Sequence, residues 1–344
     1  MGGPATLLIN HKPSTQPPFQ SIVDRVMHRL SELEQRYSRY RSDSLITKIN
    51  TLAGTDQYTP VDAETRALLD VCELLWRKSN GLFDPTSGIL RQAWNFQGGS
   101  SVNEELIPQL LSKIGWQHLL IDQRGVLLQI PGMELDLGGL VKEYAADAAI
   151  ALLRELDVDS ALIELAGDVI ALGSDLDGKP WQVGIRDPQV KHRNTDKSEF
   201  AILDQALTSL STEWISGDYT ATADDAYALI AARGDDPGVE HDSILNVALI
   251  DAALATSGNY ERYIEMRGQT YSHLLNPQTG WPVQGAKSVS VIAQTCLTAG
   301  AIATVGCLHT PEDASIWLND AEMPWLMIDQ NQRLSGPLAA GILR

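Results

Sequence analysis

The sequence predicts an α+β fold, because segments with the patterns of helices and strands are mixed without a regular βα alternation. Apolar residues recur at helical spacing over two long segments, residues 19–36 and 62–79. Short apolar runs bounded by glycine, proline or asparagine indicate strands, and residues 5–10 form the first of them. With 344 residues, the chain has room for one large domain or two of ordinary size.

The first half of the chain contains most of the predicted helices. In the segment 19–36, the helical pattern rests on Ile22, Val26, Leu30 and Leu33. A turn and a short helix follow in YSRYRSDSLITKIN, and Asp62 is a suitable N-cap for the helix over 62–79. Residues 118–136 then predict a hairpin, with turns at 123–125 and 131–132.

The second half begins with an alanine-rich helix over residues 140–156. The runs ALIELAGDVIALG and KPWQVGIRDP predict two strands joined by SDLDG. Residues 189–245 are polar and acidic, and we interpret them as a surface insertion in a single domain spanning residues 1–344. The core resumes with the strand SVSVIA, the buried helix CLTAGAIATVGCL and closing strands.

Charge and composition exclude several classes of partner. Lys and Arg number 26 against 44 for Asp and Glu, a net charge of −18, so we expect no nucleic-acid partner and no binding to anionic membranes. The three cysteines have no CxxC spacing, which argues against a zinc site or a disulfide framework. No apolar run has the length of a membrane span, so we expect no membrane insertion. The first residues lack a secretory signal pattern, so we expect a cytoplasmic chain, or an exported one whose signal was removed.

The stretch ELDLGGLVKEYAAD, residues 134–147, places two glycines and a lysine at the start of a helix. Glycines let the backbone approach a ligand, and the helix N-terminus and Lys142 both favour negative charge. This pattern is typical of a phosphate site. The alternative is a tight turn from a strand to a helix, followed by an exposed lysine.

Three further stretches contain side chains that suit catalysis or binding. Asp168 follows a glycine in mid-strand, where a carboxylate must be paired, metal-bound or at a strand end. The alternative, which is the more common case, is a hairpin with a buried, hydrogen-bonded aspartate. His273 lies between a strand and an Asn-Pro turn and suits acid–base chemistry, although a structural, hydrogen-bonded histidine is more common there. Thr304 lies on a helix of small residues, which suits close packing against either a neighbour or a ligand.

Together and in this order, the motifs resemble one family, the FAD:protein FMN transferases or ApbE proteins. DLGGLVKEYAAD is similar to the family's D-L-G-G-x-x-K-G-Y-A-x-D, and AGDVIALG with KPWQVGIRDP to its G-G-D…G…P-W-x-V-G-I-x-D-P. ATSGNYERY and YSHLLNPQTGWPV resemble T-S-G-x-Y and Y-S-H-x-x-D-P-x-T-G-x-P. YSRYRSDSLITKIN and LFDPTSGIL are similar to the family's early motifs.

The resemblance implies two T-fold-like halves with a flavin cleft between them. It also implies a reaction in which FAD is split at its pyrophosphate with Mg²⁺, FMN is joined to a threonine of a flavoprotein acceptor, and AMP leaves. In this phosphoryl-type transfer the protein mainly positions groups, and the metal neutralises charge.

By position, the resemblance implies roles for residues in all of these motifs. FAD contacts fall on Met1, Tyr40, Leu82, Phe83, Asp84, Asp136, Gly138, Lys142 and Leu275. The catalytic candidates are His273, Lys142 and Asp168. The metal site involves the carbonyl of Gly139, the hydroxyl of Thr304 and the position of Gly300.

The chain departs from the family at the metal helix. The family reads T-A-D-x-x-x-T, whereas TAGAIAT places Gly300 where the aspartate stands. Glu143 and Glu164 occupy positions where the family usually has glycine and asparagine, so a carboxylate from Glu143, Glu164 or Asp168 is a candidate replacement. Three alternatives follow: an active transferase, an impaired FAD-binding homologue serving as a flavin carrier or scaffold, or a scaffold without flavin.

Overall fold

The computed structural model describes residues 5–10, 17–96, 101–189, 243–260, 263–266 and 268–341. Its main feature is a seven-stranded sheet in which each strand runs antiparallel to its neighbours. In spatial order the strands are β1 (Ala5–Ile9), β6 (Ala161–Leu165), β7 (Asp168–Leu172), β10 (Ala253–Gly258), β13 (Ser288–Ala293), β14 (Trp325–Ile328) and β15 (Leu334–Ser335).

Two helices cover one face of this sheet. The described helices are α1 (Phe19–Tyr37), α2 (Leu45–Thr51), α3 (Ala63–Lys78), α4 (Ile107–Leu111), α5 (Val141–Glu155), α6 (Cys296–Leu308) and α7 (Pro311–Asp320). Helix α5 packs on β6 and β7, helix α6 packs on β10 and β13, and the two helices contact each other. Helix α1 packs on α5, and α7 packs on α6.

Short strand pairs and 3-10 turns form the rest of the described structure. The pairs are β2 (Trp94–Asn95) with β3 (Ser101–Val102), β4 (Leu119–Asp122) with β5 (Gly125–Leu128), β8 (Trp181–Arg186) with β9 (Ser243–Leu249), and β11 (Tyr263–Met266) with β12 (Gln269–Ser272). The 3-10 turns span Ser87–Gln92, Glu104–Leu106, Trp116–His118 and Pro337–Gly341.

Small residues are common on the buried faces of α5 and α6. Ala145, Ala146 and Ala149 on α5 are fully buried, as are Ala299 and Ala303 on α6. Short side chains let two helix backbones approach closely while keeping the interior filled. Where α5 meets α6, the structure places Glu143 against Gly300 and joins the Asp147 carboxylate to the first residues of α6.

Several predicted elements are confirmed. Helices α1 and α3 match the segments 19–36 and 62–79, and the Asp62 side chain caps α3 by accepting from Thr65 N at 2.9 Å. The predicted hairpin is confirmed over β4 and β5. Its last part is wrong, because residues 131–136 form no strand. There, Asn50 binds the backbone of Leu135, and Asp136 N donates to Pro85 O at 2.8 Å.

The run ALIELAGDVIALG is two strands instead of the single strand we predicted. Ala166 and Gly167 form a tight turn with φ values of 49° and 91°, which reverses the chain between β6 and β7. Asp168 is therefore the first residue of β7, and its placement in mid-strand is wrong. The carboxylate at this strand end is buried and accepts from Thr256 N on the neighbouring strand β10 at 3.0 Å.

The chain divides into two compact units, Met1–Ile185 with Leu245–Arg344, and Arg186–Ile244. Nearly all of the second unit lies outside the described residues, so the surface insertion at 189–245 in a single domain stays a prediction. None of the helices that the structure describes is long and apolar enough to cross a membrane.

Candidate active site

A cavity of about 530 Å³ lies in the first unit. Its wall comes from parts of the chain that are far apart in sequence, namely residues 39–40, most of 82–96, residues 136 and 139, residues 273–275, and residues 304 and 308. This volume falls within the range of about 300–1,000 Å³ that is usual for small-molecule sites.

The cavity brings together most of the positions predicted to contact flavin or metal. Its wall includes Tyr40, Leu82, Phe83, Asp84, Asp136, Gly139, His273, Leu275 and Thr304. Four other predicted positions, Gly138, Lys142, Asp168 and Gly300, lie outside the residues that line it. Met1 lies outside the described residues.

Asp84 fixes the turn that carries Leu82 and Phe83. Its buried carboxylate accepts from Thr86 N at 2.8 Å and from Trp116 N at 3.0 Å. Burial raises the pKa of Asp84, and these hydrogen bonds oppose that rise. The carboxylate predicted to contact FAD therefore acts first on its own chain, by shaping this part of the wall.

An arginine that the sequence did not single out forms part of the wall. The Arg39 guanidinium pairs with Asp136 and donates to Gly88 O at 3.3 Å. Asp136 also accepts from Gly138 N at 2.9 Å, which fixes the double-glycine turn before α5. Gly88 must be small here, since a Cβ atom would lie 2.7 Å from Asp136 Cβ. In the sequence, Arg39 could have been predicted as a wall residue because it lies next to Tyr40 in SRY, residues 38–40.

Tyr40 is largely exposed, with 74% of its surface accessible. Its hydroxyl accepts from Arg39 at 2.9 Å, and the guanidinium carbon lies 4.9 Å from the ring centroid. Arg91, also missed from the sequence, lines the cavity and pairs with Glu134. The wall thus combines two guanidinium groups with apolar and aromatic side chains, which suits a ligand that has both a ring and phosphates.

Lys142 is directed toward carboxylates behind the cavity wall. Its ammonium group pairs with Asp168, whose other oxygen accepts from Thr256 N at 3.0 Å, and it lies 3.5 Å from Glu143 Oε1. Burial alone would lower the pKa of Lys142, but Glu143 and Asp168 outweigh burial and raise it. Lys142 and Asp168 thus hold the first turn of α5 against β7 and β10.

Glu143 lies against Gly300 on α6. The glutamate is 6% exposed, and its Oε2 atom is buried with no hydrogen-bond partner among the described residues. A Cβ atom at Gly300 would lie 2.5 Å from Glu143 Cγ and 3.2 Å from Oε1. Burial raises the pKa of Glu143 to about 7, against the opposing charge of Lys142.

A pair of hydroxyl groups lies close to this glutamate along α6. Thr304 is one helical turn beyond Gly300 on the same face, and its hydroxyl is 2.7 Å from that of Ser257 on β10. Thr304 reaches the cavity wall. Ser257 belongs to the TSG motif, and no separate role was predicted for it.

The donor atoms present are suited to a hard cation. The described residues contain no group of three or more His, Cys, Asp or Glu side chains arranged for a metal. The available oxygens are instead mixed: the Glu143 carboxylate, the Thr304 hydroxyl and the Gly139 backbone. Mg²⁺ binds oxygen ligands and keeps several of its waters or substrate phosphates, so a few protein oxygens suffice. The buried, unpartnered Oε2 of Glu143 fits such an ion.

Asp147 and His273 complete the site. The Asp147 carboxylate on α5 accepts from Cys296 N at 2.6 Å and Leu297 N at 2.9 Å, which ties the start of α6 to α5. Burial raises the pKa of Asp147, and these two bonds oppose it. His273 follows β12 directly, as predicted, and lies in the cavity wall.

Comparisons with known proteins agree on one family. The model of the ApbE family matches residues 1–231 and 215–327 in two overlapping segments. The FAD:protein FMN transferase of Vibrio cholerae is 26% identical over 318 residues, covering 90% of this chain and 79% of that relative. The one from Treponema pallidum is 27% identical over 303 residues, covering 83% and 70%.

A solved structure confirms the fold. The crystal structure of Pseudomonas stutzeri flavinyl transferase ApbE in its apo form has a TM-score of 0.71 and 25% identity. The likeness covers 95% of this chain and 87% of that one. The predicted α+β fold and the predicted family resemblance are both confirmed.

Proposed function

Because this chain belongs to the ApbE family, we propose that it is an FAD:protein FMN transferase. A threonine hydroxyl of a flavoprotein acceptor forms a bond to the phosphorus on the FMN side of the FAD pyrophosphate. The P–O bond to AMP breaks, AMP leaves with the electron pair, and the hydroxyl proton passes to a base. The products are AMP and an acceptor that carries FMN on its threonine.

The observation that carries this proposal is the convergence of separate motifs on one cavity. Tyr40, the Leu82–Asp84 segment, Asp136, His273 and Leu275 come from distant parts of the chain and meet in one wall. The named relatives that match most of this chain are FAD:protein FMN transferases, which supports the same chemistry.

Each part of the wall has a physical task in this reaction. Leu82, Phe83 and Leu275 offer an apolar surface for the flavin ring. Gly139, at the start of α5, brings the positive end of the helix dipole to the phosphates. His273 is the candidate base for the threonine proton, since a histidine titrates near neutral pH.

Lys142 and Asp168 act as positioning residues in this proposal, because each is held by the other behind the wall. A bound Mg²⁺ would neutralise the charge that develops on the phosphates. The Thr304 hydroxyl and the Gly139 carbonyl are the wall positions that would hold it, as the resemblance implies. Glu143 lies against Gly300, one helical turn before Thr304 on α6.

The second candidate function is that of an FAD-binding homologue without transfer, acting as a flavin carrier or scaffold. Gly300 favours it, because a glycine supplies no ligand where the family has an aspartate. The two functions share the cavity and differ in whether the pyrophosphate is cleaved.

The deciding experiment incubates the purified chain with FAD, Mg²⁺ and a flavoprotein domain bearing an acceptor threonine. Transfer releases AMP and leaves flavin fluorescence on the acceptor in a denaturing gel. An acceptor with threonine replaced by valine is the matched control, and it should remain unlabelled. FAD binding without AMP release or labelling would instead identify the chain as a carrier or scaffold.

A further inference from the structure

We propose that Glu143 supplies the carboxylate of a divalent-cation site between α5 and α6, in space that Gly300 leaves open. This inference rests on the proposed function, since the site serves the phosphates of a dinucleotide in the neighbouring cavity. In this proposal the carboxylate that binds the cation comes from Glu143 on α5, and not from an acidic residue at position 300 on α6.

The first observation is the environment of the glutamate. Its side chain is 7% exposed, and its Oε1 atom faces the Lys142 ammonium at 3.5 Å. The other oxygen, Oε2, is buried and has no hydrogen-bond partner within the described residues. Buried carboxylate oxygens in proteins almost always have a partner, because an unmatched one is costly. A cation at Oε2 satisfies it while Lys142 keeps Oε1.

The second observation is that positions 143 and 300 compete for one volume. A Cβ atom at Gly300 would lie 2.5 Å from Glu143 Cγ, well inside normal contact distance. A carboxylate on α6 at this position therefore excludes Glu143 from its present place. In this chain the acidic side chain at this contact comes from α5.

The third observation is the set of oxygens near this carboxylate. Thr304 lies one turn along α6 from Gly300, with its hydroxyl 2.7 Å from the Ser257 hydroxyl. Thr304 and Gly139 both reach the cavity wall, so an ion near them also meets a ligand in the cavity. One carboxylate, hydroxyls and a backbone carbonyl are hard oxygen donors of the kind that Mg²⁺ or Mn²⁺ binds beside phosphates.

The test measures Mn²⁺ binding to the full chain without FAD, by calorimetry and by the electron paramagnetic resonance signal of the unbound ion. The wild type should bind Mn²⁺, and Glu143→Gln should weaken binding about tenfold or more while keeping the shape of the side chain. Glu155→Gln, an exposed carboxylate at the end of the same helix, is the matched control and should bind like wild type.

The exchange of positions gives a second, independent variant. The double variant Glu143→Gly with Gly300→Asp moves the carboxylate from α5 to α6. Its Mn²⁺ affinity should stay within about threefold of the wild-type affinity, which is a smaller loss than the roughly tenfold or greater loss that usually follows when a residue supporting a metal site is removed. This double variant keeps one acidic side chain at the contact between positions 143 and 300. It therefore still tests whether that carboxylate binds Mn²⁺ if Glu143→Gln does not fold. The proposal is overturned if Glu143→Gln binds Mn²⁺ as tightly as the wild type does, or if Glu164→Gln weakens Mn²⁺ binding instead. It is also overturned if the wild type binds no Mn²⁺.

The outcomes separate this site from the proposed function. Mn²⁺ binding that depends on Glu143, without FMN transfer, keeps the site and removes the transferase. Metal-dependent transfer with unchanged Mn²⁺ affinity in Glu143→Gln keeps the transferase and removes the site.

Discussion

The wall of the cavity and the interface between α5 and α6 behind it are built in different ways. The wall is shaped by side chains that bind backbone groups, such as Asp84 on Trp116 N and Asp136 on Gly138 N. The interface is shaped by which side chains fit between two closely packed helices, as with Glu143 and Gly300. The wall contains the motifs that resemble the family in sequence, whereas Glu143 and Gly300 are two positions at which the sequence departs from that resemblance.

This difference indicates which carboxylates a second substitution can replace and which it cannot. A carboxylate that holds several backbone N–H groups has no simple substitute, because its loss leaves those donors unsatisfied. A carboxylate between two helices can be supplied from either helix, provided that the facing position becomes small. Glu143 and Gly300 are in contact, so a substitution at one position changes the space available at the other.

The largest expected effect is on the rate of FMN transfer, when the candidate base in the cavity wall is removed. His273→Ala should lower the rate of FMN transfer by about 10²–10⁴-fold, since proton transfer by a positioned side chain contributes that much. FAD affinity should change far less, because the apolar surface of Leu82 and Phe83 remains. Single-turnover transfer measures the first quantity, and fluorescence titration with FAD measures the second. A variant that loses FAD binding and transfer in parallel would show that His273 shapes the pocket and is not the base.

The next effect tests the competition between the helices. Gly300→Asp alone should destabilise the chain by about 2–3 kcal/mol, because the added side chain overlaps Glu143. Adding Glu143→Gly should recover the loss to within about 1 kcal/mol, the usual cost of a glycine inside a helix. Urea unfolding of the four combinations gives the coupling free energy directly. Additive effects of the two substitutions would mean that the two positions do not share one volume.

A smaller effect probes the turn that carries Leu82 and Phe83. Asp84→Ala should lower the free energy of unfolding by about 2 kcal/mol, because Thr86 N and Trp116 N lose their acceptor in a buried place. FAD affinity should fall with it, since the turn positions Leu82 and Phe83. Asp70→Ala, an exposed carboxylate on α3, is the control for urea unfolding and should leave both quantities unchanged. Unchanged FAD affinity in Asp84→Ala would show that the turn keeps its shape without this carboxylate.

The sequence predicted those parts of the molecule that have a local signal. The helices over 19–36 and 62–79 follow from apolar spacing and the Asp62 cap, and the cavity wall follows from motifs in family order. The turn at Ala166 and Gly167 was missed, because ALIELAGDVIALG is mostly apolar and an alanine with positive φ has no distinctive sequence signal.

Contacts between segments that are distant in the chain could not be predicted from the sequence, for a different reason. Arg39 and Asp136 are 97 residues apart, and nothing local to either predicts that they pair. Lys142 carried a charge suited to phosphate, yet its pairing with Asp168 depends on where β7 begins, which the sequence did not show. Glu143 and Gly300 were each recognised as departures, but only the packing of α5 on α6 shows that they touch.

The smallest expected effect concerns the contact that holds α6 to α5. Asp147→Ala should destabilise the chain by about 1 kcal/mol, the typical value of a helix N-cap, because Cys296 N and Leu297 N lose their acceptor while Thr295 still caps Thr298 N. Urea unfolding measures this loss, with Glu155→Ala as the control on the same helix. If the interface alone positions Glu143 beside Thr304, Asp147→Ala should also weaken Mn²⁺ binding, though less than Glu143→Gln does. Full Mn²⁺ affinity in a destabilised Asp147→Ala chain would show that packing of the small residues fixes the two helices without this cap.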